Sequence, residues 1–278
     1  MNIRRMVHWL ASTPPLALVV RYLYERRFVK PASRGRFRGV YDDFDAAISS
    51  APRTLPVGYD HDEASRMYSS RPMFPEDYAV LLWLMPLLQG GARVLDFGGH
   101  TGGLFDLFRN LPNWPQGVAW TVCDVPAVVQ RGLELNSSRS EPHPRFISQL
   151  EDAGPAEVFL ASGSLQYCDR TITETLARLP VMPDHIIINQ TPLHEDLEFV
   201  TLQNIGTAYC AYWIRKREQF VQRVIDEGYE LVDMWSNPGK LCMIPTHPRQ
   251  TRPAYYGAYL RRVSRDPLVR ADGARVPE

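Results

Sequence analysis

Val94-Leu95-Asp96-Phe97-Gly98-Gly99-His100-Thr101-Gly102-Gly103 is the stretch whose reading decides the fold. Its first four residues form an apolar run short enough for a strand buried on both faces. The glycines that follow permit a sharp exit into a helix. Three glycine-loop chemistries compete for this pattern. A P-loop needs Gly, four residues, then Gly-Lys-Ser/Thr; Gly98 and Gly103 have that spacing, but Leu104 replaces the lysine. Nucleoside-triphosphate hydrolysis is thereby excluded. A dinucleotide fingerprint counted from Gly98 places His100 in the second glycine slot, where a side chain blocks close approach of a pyrophosphate. The third pattern, Asp-x-Gly-x-x-x-Gly, is met by Asp96, Gly98 and Gly102. In it the strand-end carboxylate reaches a ligand cation or a loop amide.

Outward from this turn, strand and helix alternate. A buried helix is expected over Met73–Gln89, stopped by Gly90-Gly91. Strands are expected at Arg93–Phe97, Val118–Cys123, Arg145–Ser148, Glu157–Ala161 and His185–Asn189. Helices follow at Gly103–Asn110, Pro126–Leu135 and Thr171–Leu179. A long connection, Thr191–Trp213, leads to a helix over Lys216–Glu227. Tyr229–Trp235 and Leu241–Ile244 then pair as an antiparallel hairpin across Asn237-Pro238-Gly239. The pattern predicts an α/β fold: a doubly wound, mainly parallel seven-stranded sheet with a closing antiparallel strand. The expected organisation is an N-terminal basic helical extension and lead-in over 1–69, one domain over 70–247, and a flexible basic tail over 248–278.

Composition sets the outer bounds. The 278 residues are 45% hydrophobic and 22% charged, so the chain can bury a real core. Cys123, Cys168, Cys210 and Cys242 lie too far apart for a zinc or disulfide framework and read as free thiols in a reducing cytosol. Net charge is zero, and no nucleic-acid partner is expected. Residues 1–40, however, carry nine basic side chains against Glu25 alone. No run reaches the ~20 apolar residues of a spanning helix, and no secretory signal is evident. A helix expected over 14–29 packs on its own protein or on a twin, giving a homodimer; peripheral contact with an anionic membrane surface is the alternative.

With Asp96, Gly98 and Gly102 after the first parallel strand, the sequence resembles the class I S-adenosylmethionine-dependent methyltransferases, which have a Rossmann-like fold. Asp124, closing the strand Val118–Cys123, stands where that family accepts hydrogen bonds from ribose hydroxyls. A narrower resemblance covers residues 37–245. It rests on Phe37-x-Gly39-x-Tyr41-x-x-Phe44, Gly58-Tyr59-Asp60, the glycine turn, Leu165-Gln166-Tyr167 and Asn189-Gln190-Thr191-Pro192. These are similar to a group of bacterial methyltransferases found among genes for cell-surface polysaccharide synthesis. That group often has Asp-Arg-Thr-Pro where this chain has Asn189-Gln190-Thr191-Pro192.

The resemblance implies S-adenosylmethionine as cofactor and a small-molecule or glycan acceptor, with oxygen favoured over nitrogen. The free thiols imply cytoplasmic residence, and the basic arm over residues 1–40 would make it peripheral at the inner membrane face. In a parallel sheet ligands sit at the carboxyl ends of the strands. That rule selects Asp96 to Gly102, Asp124, Ser148-Gln149, Ser162-Gly163-Ser164 and Asn189 to Thr191 as one rim. Within it Asp96, Gly98, Gly99, His100, Gly102, Asp124, Ser148, Gln149, Ser162 and Gly163 are expected to bind the cofactor, with Ser148 or Gln149 reading the adenine edge. An alcohol acceptor needs a general base, and His194, with Glu195 beside it, is the expected one. The aromatic cluster Tyr209–Trp213 is expected to wall the acceptor pocket. Two rivals stand: another chemistry on this fold, and a non-catalytic cofactor-binding scaffold, against which the intact Asp96/Gly98/Gly102/Asp124 set argues.

Overall fold

A computed structural model of the protein describes residues 16–68, 72–138, 143–245, 247–251 and 254–263. Parts of the expected basic arm and tail lie outside these residues. The N-terminal part holds helix α1 (Leu16–Phe28), strand β1 (Arg36–Tyr41) and short helices α2 (Phe44–Ser49) and α3 (Asp62–Ser65). Next come α4 (Pro75–Gln89), β2 (Val94–Phe97), α5 (Gly103–Phe108), β3 (Trp120–Cys123), α6 (Pro126–Asn136), β4 (Arg145–Ile147), β5 (Val158–Ser162) and α7 (Ile172–Leu176). The chain then runs through β6 (His185–His194), β7 (Phe199–Asn204), β8 (Tyr209–Lys216), α8 (Arg217–Asp226), β9 (Tyr229–Leu241) and β10 (Ala254–Arg262).

Local chemistry sets these boundaries. Pro75 opens α4, where the Asp77 carboxylate accepts the Phe74 amide at 2.9 Å, and Gly91 leaves it at φ +85°. Thr171 and Glu174 form a reciprocal capping box on α7.

Among the described residues the sheet has ten strands rather than seven. Strands β4, β3, β2, β5 and β6 are parallel neighbours in that order. Strand β10 lies antiparallel between β6 and β9. These seven strands make the mainly parallel sheet with an antiparallel member. The other three form an added antiparallel layer, β1-β7-β8, joined to the first where Leu193 and His194 pair with Arg215 and Lys216. Along the parallel strands, neighbouring residues enter opposite cores. Leu95, Phe159 and Ile186 face α7 and α8, while Val94, Leu160 and Ile187 face α4 and α5. Each such buried apolar side chain contributes roughly 1.5–3 kcal/mol.

Four expectations about architecture are corrected. Residues 254–262 are no tail: Tyr255, Ala258, Tyr259 and Leu260 are buried in a strand paired on both sides, with β6 and β9, so the domain runs past 247. Their alternation is interrupted by Gly257, where a Cβ would lie 2.1 Å from the Trp235 indole. Asn237-Pro238-Gly239 is no hairpin turn; Asn237 faces Tyr255 and Leu241 faces Ala254, so the residues between bulge out of β9. The Thr191–Trp213 connection is the end of β6, all of β7 and most of β8. The lead-in also belongs to the fold, because β1 pairs with β7.

Candidate active site

At the carboxyl ends of β2, β3, β5 and β6 lies a cavity of about 1200 Å³. The glycine turn forms its floor. Gly98 sits at φ +68° and donates its amide to the Cys123 carbonyl at 2.8 Å. A Cβ there would stand 2.2 Å from the Ser164 Cβ, and one on Gly99 would strike the Asp96 carboxylate. Gly102, at φ +84°, begins α5. The turn is closed tightly enough that its glycines are steric requirements.

Asp96 does not face the cavity. It is fully buried beneath the turn, and its carboxylate accepts the Trp120 indole N–H at 3.2 Å. The expected contact with a ligand cation is not made from this position; the carboxylate packs beneath Gly99 instead. Gly102 likewise stands behind the wall, which Gly103 and Leu104 form.

Asp124 does line the cavity. Its two oxygens accept the backbone N–H groups of His100 and Val125, each at 2.8 Å. Burial pushes its carboxyl above the ordinary range, and these amides oppose the shift. Each oxygen keeps a further lone pair for a ligand. His100 also lines the cavity, at φ +54°. Its Nε2 lies 3.1 Å from the Ala64 carbonyl, so the ring ties α3 to the turn. Asp60 adds a second tie by accepting the Ala127 amide at 2.9 Å.

Beyond β5, Ser162, Gly163, Ser164 and Gln166 line the wall. Ser162 Oγ accepts from Asn189 Nδ2 at 3.4 Å, and Ser164 Oγ donates to the Phe97 carbonyl at 2.5 Å. Gln166 is 1% exposed; its Nε2 donates to the Gly163 carbonyl at 2.6 Å, and its Oε1 has no partner among the described residues. Such an acceptor is costly unless a ligand satisfies it. Of the pair expected at the adenine edge, Ser148 is on the wall; Gln149 is not, and accepts from Arg178 at 3.3 Å.

The expected general base is elsewhere. Strand β6 runs on through His194 and carries that ring past the cavity. His194 Nδ1 accepts the amides of Asp196 and Leu197, and its Nε2 donates to the Arg249 carbonyl at 3.0 Å. Glu195 pairs with Arg217 at 2.6 Å and accepts from the Tyr256 hydroxyl. Neither side chain lines the cavity. Of the aromatic cluster, Tyr209 and Tyr212 are core residues, and it is Cys210 and Ala211 that reach the wall.

Sequence reasoning missed the far wall. The lead-in supplies Phe44, Tyr59 and Tyr68, and Tyr167 meets Tyr59 edge to face at 4.9 Å between centroids. Burial holds the phenols of Tyr59 and Tyr167 well above their usual range, so they stay protonated. Phe44 and Tyr59 stood in the motifs that carried the family resemblance, which was the available signal. Lys240 was missed as well, whereas Gln190, within the segment Asn189–Thr191 expected on the rim, does line the cavity. Gln190 takes φ +52° at the bulge of β6, and its Oε1 accepts Lys240 Nζ at 3.0 Å on the cavity wall. A non-glycine residue held there costs on the order of 1–3 kcal/mol, a strain that gathers at functional sites.

Neither a protein-family model nor a curated protein sequence matches the chain. Among solved structures it is similar to a magnesium protoporphyrin IX methyltransferase from Synechocystis PCC 6803 with bound SAH. That match has 14% identity over 73% of this chain and 93% of the other, with a TM-score of 0.44. It is also similar to an S-adenosylmethionine-dependent methyltransferase from Mesorhizobium loti, with 12% identity over 67% of this chain and 98% of the other, and a TM-score of 0.45.

Proposed function

We propose that the protein transfers a methyl group from S-adenosylmethionine to an oxygen of a small-molecule or sugar acceptor. The observation that carries this reading is Asp124, a carboxylate on the cavity rim clamped to the glycine turn by the His100 amide. It suits a pair of ribose hydroxyls, and the Gly98-Gly99 turn beside it leaves the backbone bare of side chains. Gln166 Oε1 suits a donor on the ligand, such as the cofactor's ammonium or an acceptor hydroxyl. S-adenosylmethionine, when bound, supplies an electrophilic methyl group.

The chain's own contribution is position and exclusion of water. The cavity, at about 1200 Å³, exceeds the roughly 300–1000 Å³ of an ordinary single-ligand pocket, which leaves room for an acceptor beside the cofactor. Tyr59, Tyr68 and Tyr167 offer rings on which a sugar or other cyclic acceptor stacks. Lys240 places a cation on the same wall, which favours a neutral or anionic oxygen nucleophile over a protonated amine. A role in surface glycan synthesis, on the cytoplasmic side, extends the same reading.

Titration calorimetry with S-adenosylmethionine and S-adenosylhomocysteine tests the proposal. Micromolar binding of both, weakened by Asp124→Ala, supports it. Absence of binding removes it. Binding without turnover toward any hydroxylated acceptor moves the assignment to a cofactor-binding scaffold.

A further inference from the structure

The solvent face of α1 is apolar and cationic at once. Leu18, Tyr22, Leu23 and Val19 are 70%, 60%, 58% and 53% exposed. At roughly 3.6 residues per turn they share one side of the helix. Phe28, on the opposite side, is buried against Leu202 and Tyr209 and pins the helix to the domain. Arg21, Arg26, Arg27 and Lys30 are exposed around the apolar residues. The guanidinium of Arg26 lies over the Tyr22 ring at 5.8 Å, and Arg26 is exposed. The acid of this helix, Glu25, is half-buried and paired with Arg38 at 2.7 Å, so it does not offset the exposed arginines.

We propose that α1 is a peripheral anchor that docks on a bilayer surface containing anionic lipid. Charge complementarity selects this occupant. A second copy of the chain, related by a two-fold axis, would bring the arginines of one α1 against those of the other. A nucleic acid would satisfy the arginines but leave Leu18, Val19 and Leu23 in water. An anionic bilayer accepts both, with the apolar side chains entering the headgroup boundary and the basic ones meeting lipid phosphates. Among the described residues no helix is long and apolar enough to cross a membrane, so the helix lies along the surface. With 13 residues it is about 20 Å long, which suits reversible attachment.

Vesicle sedimentation of the full chain tests this. One set of vesicles is phosphatidylcholine alone; the other contains an equal part of phosphatidylglycerol. The protein is expected to sediment with the anionic vesicles at low salt and to leave them at high salt. Arg26→Gln with Arg27→Gln should weaken partitioning roughly thirtyfold, the usual scale for two basic side chains at such a surface. Leu18→Ser with Leu23→Ser should weaken it as well. All four sites are exposed, so thermal unfolding should not move, which separates docking from misfolding. Equal sedimentation with both vesicle types overturns the proposal, as does anionic-vesicle binding that neither double variant weakens. A solution dimer that Leu18→Ser/Leu23→Ser dissociates, without vesicle binding, overturns it in favour of a second copy. An RNA mobility shift without vesicle binding overturns it in favour of nucleic acid.

Discussion

The guanidinium of Arg215, on the added strand β8, donates to the carbonyl of Leu165 at 2.9 Å. It also donates to Arg170 at 2.8 Å and Cys168 at 3.4 Å, and it stacks on Trp213 at 4.2 Å. Arg215 is 1% exposed, and burial pulls it down to about 10, so it stays charged at neutral pH. One buried cation thus fixes the loop that carries Gln166 and Tyr167 along the cavity. Arg215→Met is expected to cost roughly 3 kcal/mol or more in urea unfolding, because the carbonyls lose a charged donor. Arg215→Lys should recover only part of this, since an ammonium cannot span the same carbonyls.

Asp124→Ala should weaken S-adenosylhomocysteine binding by roughly 2–3 kcal/mol, the scale of hydrogen bonds to a charged group. The wild-type affinity should depend on pH in a definite direction. Burial raises the Asp124 pKa, and the ionised form is the one free to accept from ribose hydroxyls. Affinity should therefore be full above the raised pKa and fall as acidification protonates the group, starting above the ordinary carboxylate range. Calorimetry across pH with Asp124→Asn as a pH-insensitive control checks this.

Gly98→Ala should destabilise the domain by roughly 1–3 kcal/mol as well as impair binding. The added Cβ meets both a left-handed backbone and the Ser164 side chain. Adding Ser164→Gly should restore part of the melting temperature. A singly substituted protein with unchanged stability would show that the turn is looser than this packing implies.

His194→Ala should lower stability by about 1–3 kcal/mol, because two amides and a carbonyl lose their partner. Any loss of turnover should follow the loss of folded protein, and raising the pH should not rescue it. Lys240→Met is the contrasting case: near-normal S-adenosylhomocysteine binding with turnover reduced tenfold or more. Steady-state kinetics beside calorimetry separates the two.

The parallel half of the fold was legible because its strands are short apolar runs bounded by glycine and proline. The glycine turn and Asp124 were legible for a related reason: few residues satisfy so tight a backbone. The added layer was not, since β7 and β8 mix buried aromatics with polar side chains and carry no period that separates strand from loop. Strand β10 was hidden by Gly257 in its middle and the arginines that close it, although Tyr255 and Tyr259 supply its buried positions. His194 was misplaced because β6 continues beyond Asn189, which carries the ring away from the sheet's open end. Gln190 and Lys240 meet only across a bulge and a strand end, and no local pattern announces such a pair.

The position of β10 also imposes a timetable on biosynthesis. Strand β6 begins at His185, yet the strand that covers its free edge begins only at Ala254. At roughly 5–20 residues per second, a nascent chain carries that edge unpaired for several seconds. The exposed edge is the run His185-Ile186-Ile187-Ile188, an apolar template for pairing with another chain. A stop codon shortly before Ala254 would make that interval permanent. Premature termination there should yield aggregates rather than a smaller folded protein, whereas a chain ending just after Val263 should remain monodisperse by size-exclusion chromatography.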